Sequence, residues 1–375
     1  MNNVIFMKVL FVGSRLYNCV SDYVKNKGIT SILSESNPNA INLDLPDKLY
    51  LVSRGMDEPM KIAINENVDA VIPLIGIDPP LLDVGIMKDK LEKEHNIPVI
   101  ASDESVAKIS INKKNTKDFF LKHNILTPDY YITSEKTLPD DTEYPIVLKQ
   151  SVGQGGVGVL VVNNAKEAEE YLAKYDETIV EKFIDGYEIS VEVLSWNNNA
   201  IPLAVVSKGK TTLEGIHPLE KVKTAPANIP GLSNKSAKEL ALKIVNLLGG
   251  EGNIDVDLVF EPSSGNLYAI EINTRPSGTR YLTAANTSIN PLEELVNMAN
   301  GDWELNKLEK RFTNYFAIEI PVHNYTGPEK VITDQYFVGS NSWVVHGPKN
   351  YERVSIRAEN QKELDAILKL LNIDL

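Results

Sequence analysis

Cysteine is nearly missing from this chain: Cys19 stands alone in 375 residues. A single cysteine excludes an internal disulfide and any cysteine-built zinc or iron–sulfur centre. Histidine is almost as scarce. The five present (His95, His123, His217, His323 and His346) form neither an HExxH nor an HxH pair, so the common zinc motifs are missing too. No apolar run approaches the roughly 18 residues of a membrane span. The opening Met1–Met7 lacks the charged start and small-residue cleavage site of a signal peptide. Positive charge is in deficit: 38 Lys and Arg face 51 Asp and Glu, a formal charge of −13. With no long basic run, so acidic a chain is a poor partner for a nucleic-acid duplex or an anionic membrane surface. A local basic pocket for phosphates stays open to it. The expectation is a cytoplasmic, soluble protein, with 43% hydrophobic and 24% charged residues as in ordinary globular chains. At ~150 residues per domain, the length suggests two or three domains.

Short apolar runs alternate with helical segments in the first hundred residues. Val9–Val12, Ile29–Leu33, Ala70–Ile75 and Pro98–Ala101 read as strands, with helices over Tyr17–Lys27 and Leu81–His95. That alternation predicts a parallel α/β sheet, with ligands beyond the strand ends near Gly13 and Gly76–Asp78. The first strand-to-helix turn holds only Gly13, so the dinucleotide fingerprint is missing and a Rossmann dehydrogenase is excluded as the leading reading. A helix opens at Asn112 and stops near Asn124. From Tyr144 onward the pattern turns β-rich, with further helices over Lys166–Lys174, Lys235–Leu248, Pro291–Asn300 and Gln361–Leu371. The last sixty or so residues carry no readable motif.

Two groups of residues carry chemistry. Gly153-Gln-Gly155-Gly156-Val-Gly158 satisfies G-x-G-x-x-G, but the β-branched run Val159–Val162 follows it instead of a helix. The loop therefore joins two strands, an arrangement that lets backbone N–H groups fold over phosphates. Ser151 lies at its start, and Lys149 on the incoming strand supplies a cation. The second group is Asp255, Asp257, Glu271 and Asn273. Residues i and i+2 of a strand share a face, so a hairpin turning through Glu261–Gly265 sets these polar faces opposite each other. Ile254, Val256, Leu258, Ile270 and Ile272 then point to a core. Hard oxygen donors converging on one face suit Mg²⁺. Arg275 and Arg280 follow at once and can clamp a phosphoryl group or a carboxylate.

The order of these parts resembles the ATP-grasp superfamily, over roughly Met7 to Asn300. Asn112-Lys113, with Lys117, is similar to the family's "DK…K" helix start, with Asn in place of Asp. The resemblance makes Lys113 and Lys149 the two phosphate lysines, with Ser151, Gly153, Gly155 and Gly156 closing over the phosphates. Glu181-Lys182-Phe183-Ile184-Asp-Gly-Tyr-Glu188 resembles the linker strand. It implies Glu181 and the Phe183 backbone at the adenine and Glu188 at the ribose hydroxyls. Glu271 and Asn273 match the metal strand; opposite them Asp257 fits the spacing best, with Asp255 the alternative. Within the superfamily, Gly215-Ile-His217 and Lys223-Thr-Ala-Pro-Ala resemble the carbamoyl phosphate synthetase large subunit, although Pro218-Leu-Glu replaces Thr-Gly-Asp. His217 is thereby a candidate for phosphate or substrate contact. The chain has the length of one module of that double-module enzyme.

The resemblance implies an α/β (α+β) ATP-grasp fold. A Rossmann-like pre-ATP-grasp domain would occupy residues 1–107, a small lobe with the glycine loop 108–190, a large lobe with the metal hairpin 191–310, and a C-terminal extension 311–375. It implies an ATP-dependent ligase, with ATP and Mg²⁺ (or Mn²⁺ in its place) as cofactors. The partners would be a small-molecule carboxylate and an amine, with no nucleic acid and no membrane, and a homodimer as the assembly to test. The acceptor pocket is expected between the first domain and the Arg275–Ala284 loop. The rivals are bicarbonate phosphorylation on the same fold and a nucleotide-binding regulator without catalysis.

Overall fold

The computed structural model describes residues 7–153, 156–213, 220–323, 337, 339–347 and 350–373. Its strands form three sheets. The first contains β1 (Lys8–Val12), β2 (Thr30–Glu35), β3 (Lys48–Leu51) and β4 (Ala70–Pro73), in the order β3-β2-β1-β4, all parallel. β1 and β4 are buried on both faces, which is why they read as unbroken apolar runs. Two expectations change here. Residues 98–101 contribute only an isolated Val71–Val99 bridge, and the expected helix 17–27 is a 3₁₀ turn Tyr17–Cys19 followed by the helix Ser21–Asn26. β3 and the helix Asp57–Asn65 had no clear pattern: Lys48–Leu51 is half exposed and lacks a buried face.

The second sheet is antiparallel, with β5 (Tyr130–Thr133), β6 (Ile146–Lys149), β7 (Val159–Val162) and β8 (Thr178–Lys182) in the order β5-β8-β6-β7. β6 pairs with β7 from Ile146–Val162 to Lys149–Val159, so the glycine-rich segment is a hairpin tip as its β-branched exit predicted. Gly153 has φ +146°, and a Cβ there would lie 2.8 Å from the Val157 carbonyl, so the tip requires glycine.

The third sheet has eight strands. These are β9 (Tyr187–Trp196), β10 (Asn199–Lys210), β11 (Lys223–Ala225), β12 (Gly252–Glu261), β13 (Asn266–Asn273), β14 (Phe316–His323), β15 (Ser342–His346) and β16 (Glu352–Ala358). Their order is β13-β12-β9-β10-β11-β14-β16-β15. Residues 311–375, expected as an extension, therefore add three strands to this same sheet, because β14 pairs with β11. The helix Asn234–Leu248 explains which way the sheet faces. Its Ala237, Ala241, Ile244, Val245 and Leu248 recur at helical spacing and pack on Ile189, Val191, Val193, Ile254, Val256 and Leu258. Alternation then turns Ser190, Glu192, Asp255 and Asp257 to the opposite face. Among the described residues no helix is long and apolar enough to cross a membrane.

Candidate active site

A cavity of about 520 Å³ lies between β6–β8 and the eight-stranded sheet. Lys113, Lys149, Gly153, Gly156, Glu181, Lys182, Phe183, Ile184, Glu188, Asp257 and Glu271, eleven of the residues singled out from sequence, line it. The basic pocket that an overall acidic composition left open is here: Lys117, Lys208, Lys221 and Lys223 join Lys113, Lys149 and Lys182 on its wall. His217 and Gly155 lie outside the described residues.

The nucleotide-side wall comes from the second sheet and the helix Lys113–Lys122, capped by the Asn112 side chain accepting from the Asn115 N–H. Lys113, the first helical residue, donates to the Gly153 carbonyl at 2.5 Å and to Glu271 Oε1 at 3.2 Å. Its own N–H donates to the Ser151 carbonyl, and the Ser151 hydroxyl turns to Glu177 at 3.4 Å. Ser151 thus ties the helix start to the loop from a position off the cavity wall. Glu181 is buried between two ammonium groups: Lys149 donates to its Oε1 at 2.5 Å, and Lys117 pairs with its Oε2. Burial alone would push the Glu181 carboxyl up; the two lysines outweigh it and hold it below the usual carboxylate range. Burial pushes Lys117 down to about 8, against the pull of Glu181. The resemblance placed Glu181 at an adenine; in the structure it lines the cavity with its carboxylate engaged by both lysines. Lys117, quoted from sequence only as part of a pattern, sits on the cavity wall and closes this triad.

The opposite wall is the β12–β13 hairpin with β9–β11. Asp257 stands directly across from Glu271, and Asp255 across from Asn273. Asp257 pairs with Lys208, reaching from β10, and accepts from Asn273 Nδ2 at 3.3 Å. Burial would lower the Lys208 ammonium, but Asp257 and Asp255 hold it above the ordinary lysine range. Glu188 accepts from Lys221 at 2.7 Å. Asp257 faces the cavity, while Asp255 accepts the Ser277 hydroxyl at 2.9 Å and so braces the loop that carries the arginines. A β-bulge follows the Asp257–Glu271 pair, leaving Ile270 as the extra residue. The bulge turns Ile270 out of the core where simple alternation placed it and onto the cavity wall.

Neither arginine lines the cavity. Arg275 pairs with Asp78 beyond β4 and donates to Asn273 Oδ1 at 3.2 Å. Arg280 opens the helix Arg280–Thr287, donates to the Ser277 carbonyl at 3.0 Å and lies over the Tyr281 ring, 4.7 Å from its centroid. A small cavity of about 20 Å³ lies at the junction expected to hold an acceptor, lined by Ile75, Leu81, Thr274, Arg275 and Pro276 among others. The Asp78–Arg275 pair fastens the first sheet to the hairpin there.

The donor chemistry of the hairpin fits a hard divalent cation. Asp257, Glu271 and Asn273 offer only oxygen from their carboxylates and amide carbonyl. Among the described residues, no three or more His, Cys, Asp or Glu side chains converge on a common point. Two carboxylates leave coordination positions for substrate phosphate oxygens, the arrangement Mg²⁺ favours over an all-protein cage.

Comparison with known proteins points the same way. A family model for the ATP-grasp domain matches residues 110–279. The chain is 47% identical over 361 residues to a carbamoyl-phosphate synthase of Methanobrevibacter smithii, covering 96% of this chain and 98% of that protein. That relative is therefore of this chain's own length. The fold is shared with the L-amino acid ligase from Bacillus licheniformis (TM-score 0.74, 18% identity, 98% of this chain and 97% of that one). It is shared also with the biotin carboxylase domain of Hydrogenobacter thermophilus 2-oxoglutarate carboxylase, solved with MgADP and bicarbonate (TM-score 0.72, 20% identity, 98% and 90%).

Proposed function

The chain belongs to the ATP-grasp carboxylate–amine ligases, ATP-dependent enzymes that form C–N bonds, and on that premise we propose that it activates a carboxylate as an acyl phosphate. An amine then captures that acyl group to give an amide, with release of ADP and phosphate. The observation that carries this reading is the facing pair Asp257 and Glu271 in one cavity with Lys113 and Lys149. Phosphoryl transfer asks of a protein mainly positioning and charge neutralisation, and no side-chain nucleophile. A triad is not required.

Lys149 and Lys113 neutralise phosphate oxygens, and the hairpin tip with Gly153 and Gly156 closes over them with backbone N–H groups. Phe183, Ile184 and Ile270 supply an apolar slot for the base, and Glu188 orients the ribose hydroxyls. Asp257, Glu271 and Asn273 would hold Mg²⁺, which when bound would lower the charge on the phosphates. Arg275, fixed by Asp78 and Asn273, steadies the hairpin end on which the metal ligands sit. The lobes are organised as residues 1–107, 108–190 and 191–310, with 311–375 completing the large lobe through β14–β16.

A second reading keeps the fold and makes bicarbonate the acid. The name of the relative at 47% identity favours it. One experiment separates the two: ADP and phosphate release with Mg·ATP across amino acids, dipeptides, polyamines and bicarbonate. Release that requires an acid together with an amine is the expected result. Release with bicarbonate alone transfers the chain to the second reading, and ATP binding without release under any mixture overturns both.

A further inference from the structure

Carboxylate activation carries an electrostatic difficulty that the lysines already assigned do not solve. The step is RCOO⁻ plus ATP⁴⁻ giving the acyl phosphate RCO–OPO₃²⁻ plus ADP³⁻: a bond forms between a carboxylate oxygen and the γ-phosphorus, and the bond between the γ-phosphorus and the bridging oxygen breaks. An anion must therefore approach a triphosphate, and like charges a few ångströms apart repel by several kcal/mol at an effective dielectric of about 20. Lys113 and Lys149 stand on the nucleotide side. The two arginines do not line the cavity. The cations that line it on the other side are Lys208 and Lys223 on the large sheet, and Lys221 just before β11, which Glu188 holds.

Lys208 on β10 and Lys223 on β11 share one place in that sheet. The pair Ser207–Thr224 sets the register of these antiparallel strands, so Lys208 and Lys223 come next along them. Both border the cavity; Lys223 is buried and Lys208 largely so, with side-chain exposures of 5% and 17%. Lys208 spans β9 to reach Asp257, and Asp257 faces Glu271, which in turn holds Lys113. The row Lys208–Asp257–Glu271–Lys113 is thus symmetric in charge, with an ammonium at each end of the carboxylate pair. Lys223 is fixed from behind. It donates at 2.7 Å to Glu319, which is fully buried and also accepts from Arg353 at 3.3 Å and from the Ser355 hydroxyl at 3.4 Å. Arg353 brings a further positive charge to that cluster, and its Nε is buried without a hydrogen-bond partner. Two cations on one carboxylate leave the cluster, Lys223 included, with a net positive charge.

We propose that Lys208 and Lys223 form an anion seat on the acceptor side of the cavity, holding the carboxylate under activation and the phosphoryl group it receives. This deepens the ligase reading and rests on it. Asp257 and Glu271 would hold the divalent cation, and Lys208 and Lys113, no longer needed to balance those carboxylates, would be free to turn to phosphoryl oxygens. Glu319 is a positioning residue: it touches no substrate and aims Lys223.

The test reads binding without turnover. The full chain is loaded with Mg·ADP and titrated with inorganic phosphate, the stand-in for the transferred group, by calorimetry. In Lys208→Met and Lys223→Met, phosphate affinity is expected to fall about tenfold, the loss of one charge-assisted contact, while Mg·ADP affinity stays within about threefold. Lys208→Arg and Lys223→Arg keep the charge and restore most of the phosphate affinity, which a folding defect would not allow. Glu319→Gln should reproduce the Lys223→Met loss. Unchanged phosphate affinity in both methionine variants, a loss matched by Mg·ADP, or no phosphate binding in the wild-type chain overturns the seat. A seat that passes while no acid supports ADP release strikes the ligase reading alone.

Discussion

The two walls of the cavity handle charge in opposite ways. On the β6–β8 wall one carboxylate, Glu181, serves two lysines, Lys149 and Lys117, leaving positive charge in excess before any ligand arrives. On the β12–β13 wall Asp257 and Glu271 each hold one lysine, and the charges cancel. The first wall is made to meet an anion. On the proposed reading the second would become an anion site once a cation took over its carboxylates and freed Lys113 and Lys208. An acidic chain needs such an arrangement: a phosphate pocket in a protein of net charge −13 has to be built from buried lysines whose counter-charges are local.

The largest effect expected is on the balanced wall. Glu271→Gln keeps the shape of the side chain and removes the charge, so turnover should fall by about 10² or more with an unchanged melting curve. Near-normal ADP release would break the metal assignment and with it the contrast between the walls. On the other wall, Lys149→Met should raise the KM for ATP by about tenfold or more, read against an unaltered KM for the acid. Glu181 keeps Lys117 in that variant, so the fold should hold. The smallest effect concerns pH. Lys117 titrates near 8 in the folded chain because of burial. Below that pH it is an ammonium holding Glu181 together with Lys149; above it the triad loses one positive charge. kcat/KM for ATP should therefore decline by a few-fold as pH rises from about 7.5 to 9, and Lys117→Met should lower the plateau while flattening that limb. A decline that survives in Lys117→Met would assign the titration to another group.

Most of the cavity was legible because its residues obey short-range rules. Lys149 and the glycines were readable from a β-branched exit that only a hairpin explains, and Asp257 and Glu271 from a period of two on strands joined by a turn. Ile270 escaped the same rule because a bulge breaks the period, and nothing in the local sequence marks the extra residue. Spacing favoured Asp257 and left Asp255 open. The contact of Asp255 with Ser277, 22 residues away, supports the same preference. Lys208 and Lys223 had a faint local signal in the i, i+2 spacing of Lys208-Gly-Lys210 and Lys221-Val-Lys223, but a lysine pair is more often solvated than buried.

The sequence by itself determined the element types, the hairpin tip, the polar face of the metal hairpin and membership of a family whose parts recur in order. These follow from backbone sterics and side-chain periodicity, which act over a few residues. Only the tertiary structure decided which charges meet. Asp78 finds Arg275 across 197 residues, Lys223 finds Glu319 across 96, and strands from the last sixty residues back the site. Buried charges must be paired wherever the fold brings them together, and that choice of partner is set by sheet order, which no local pattern records.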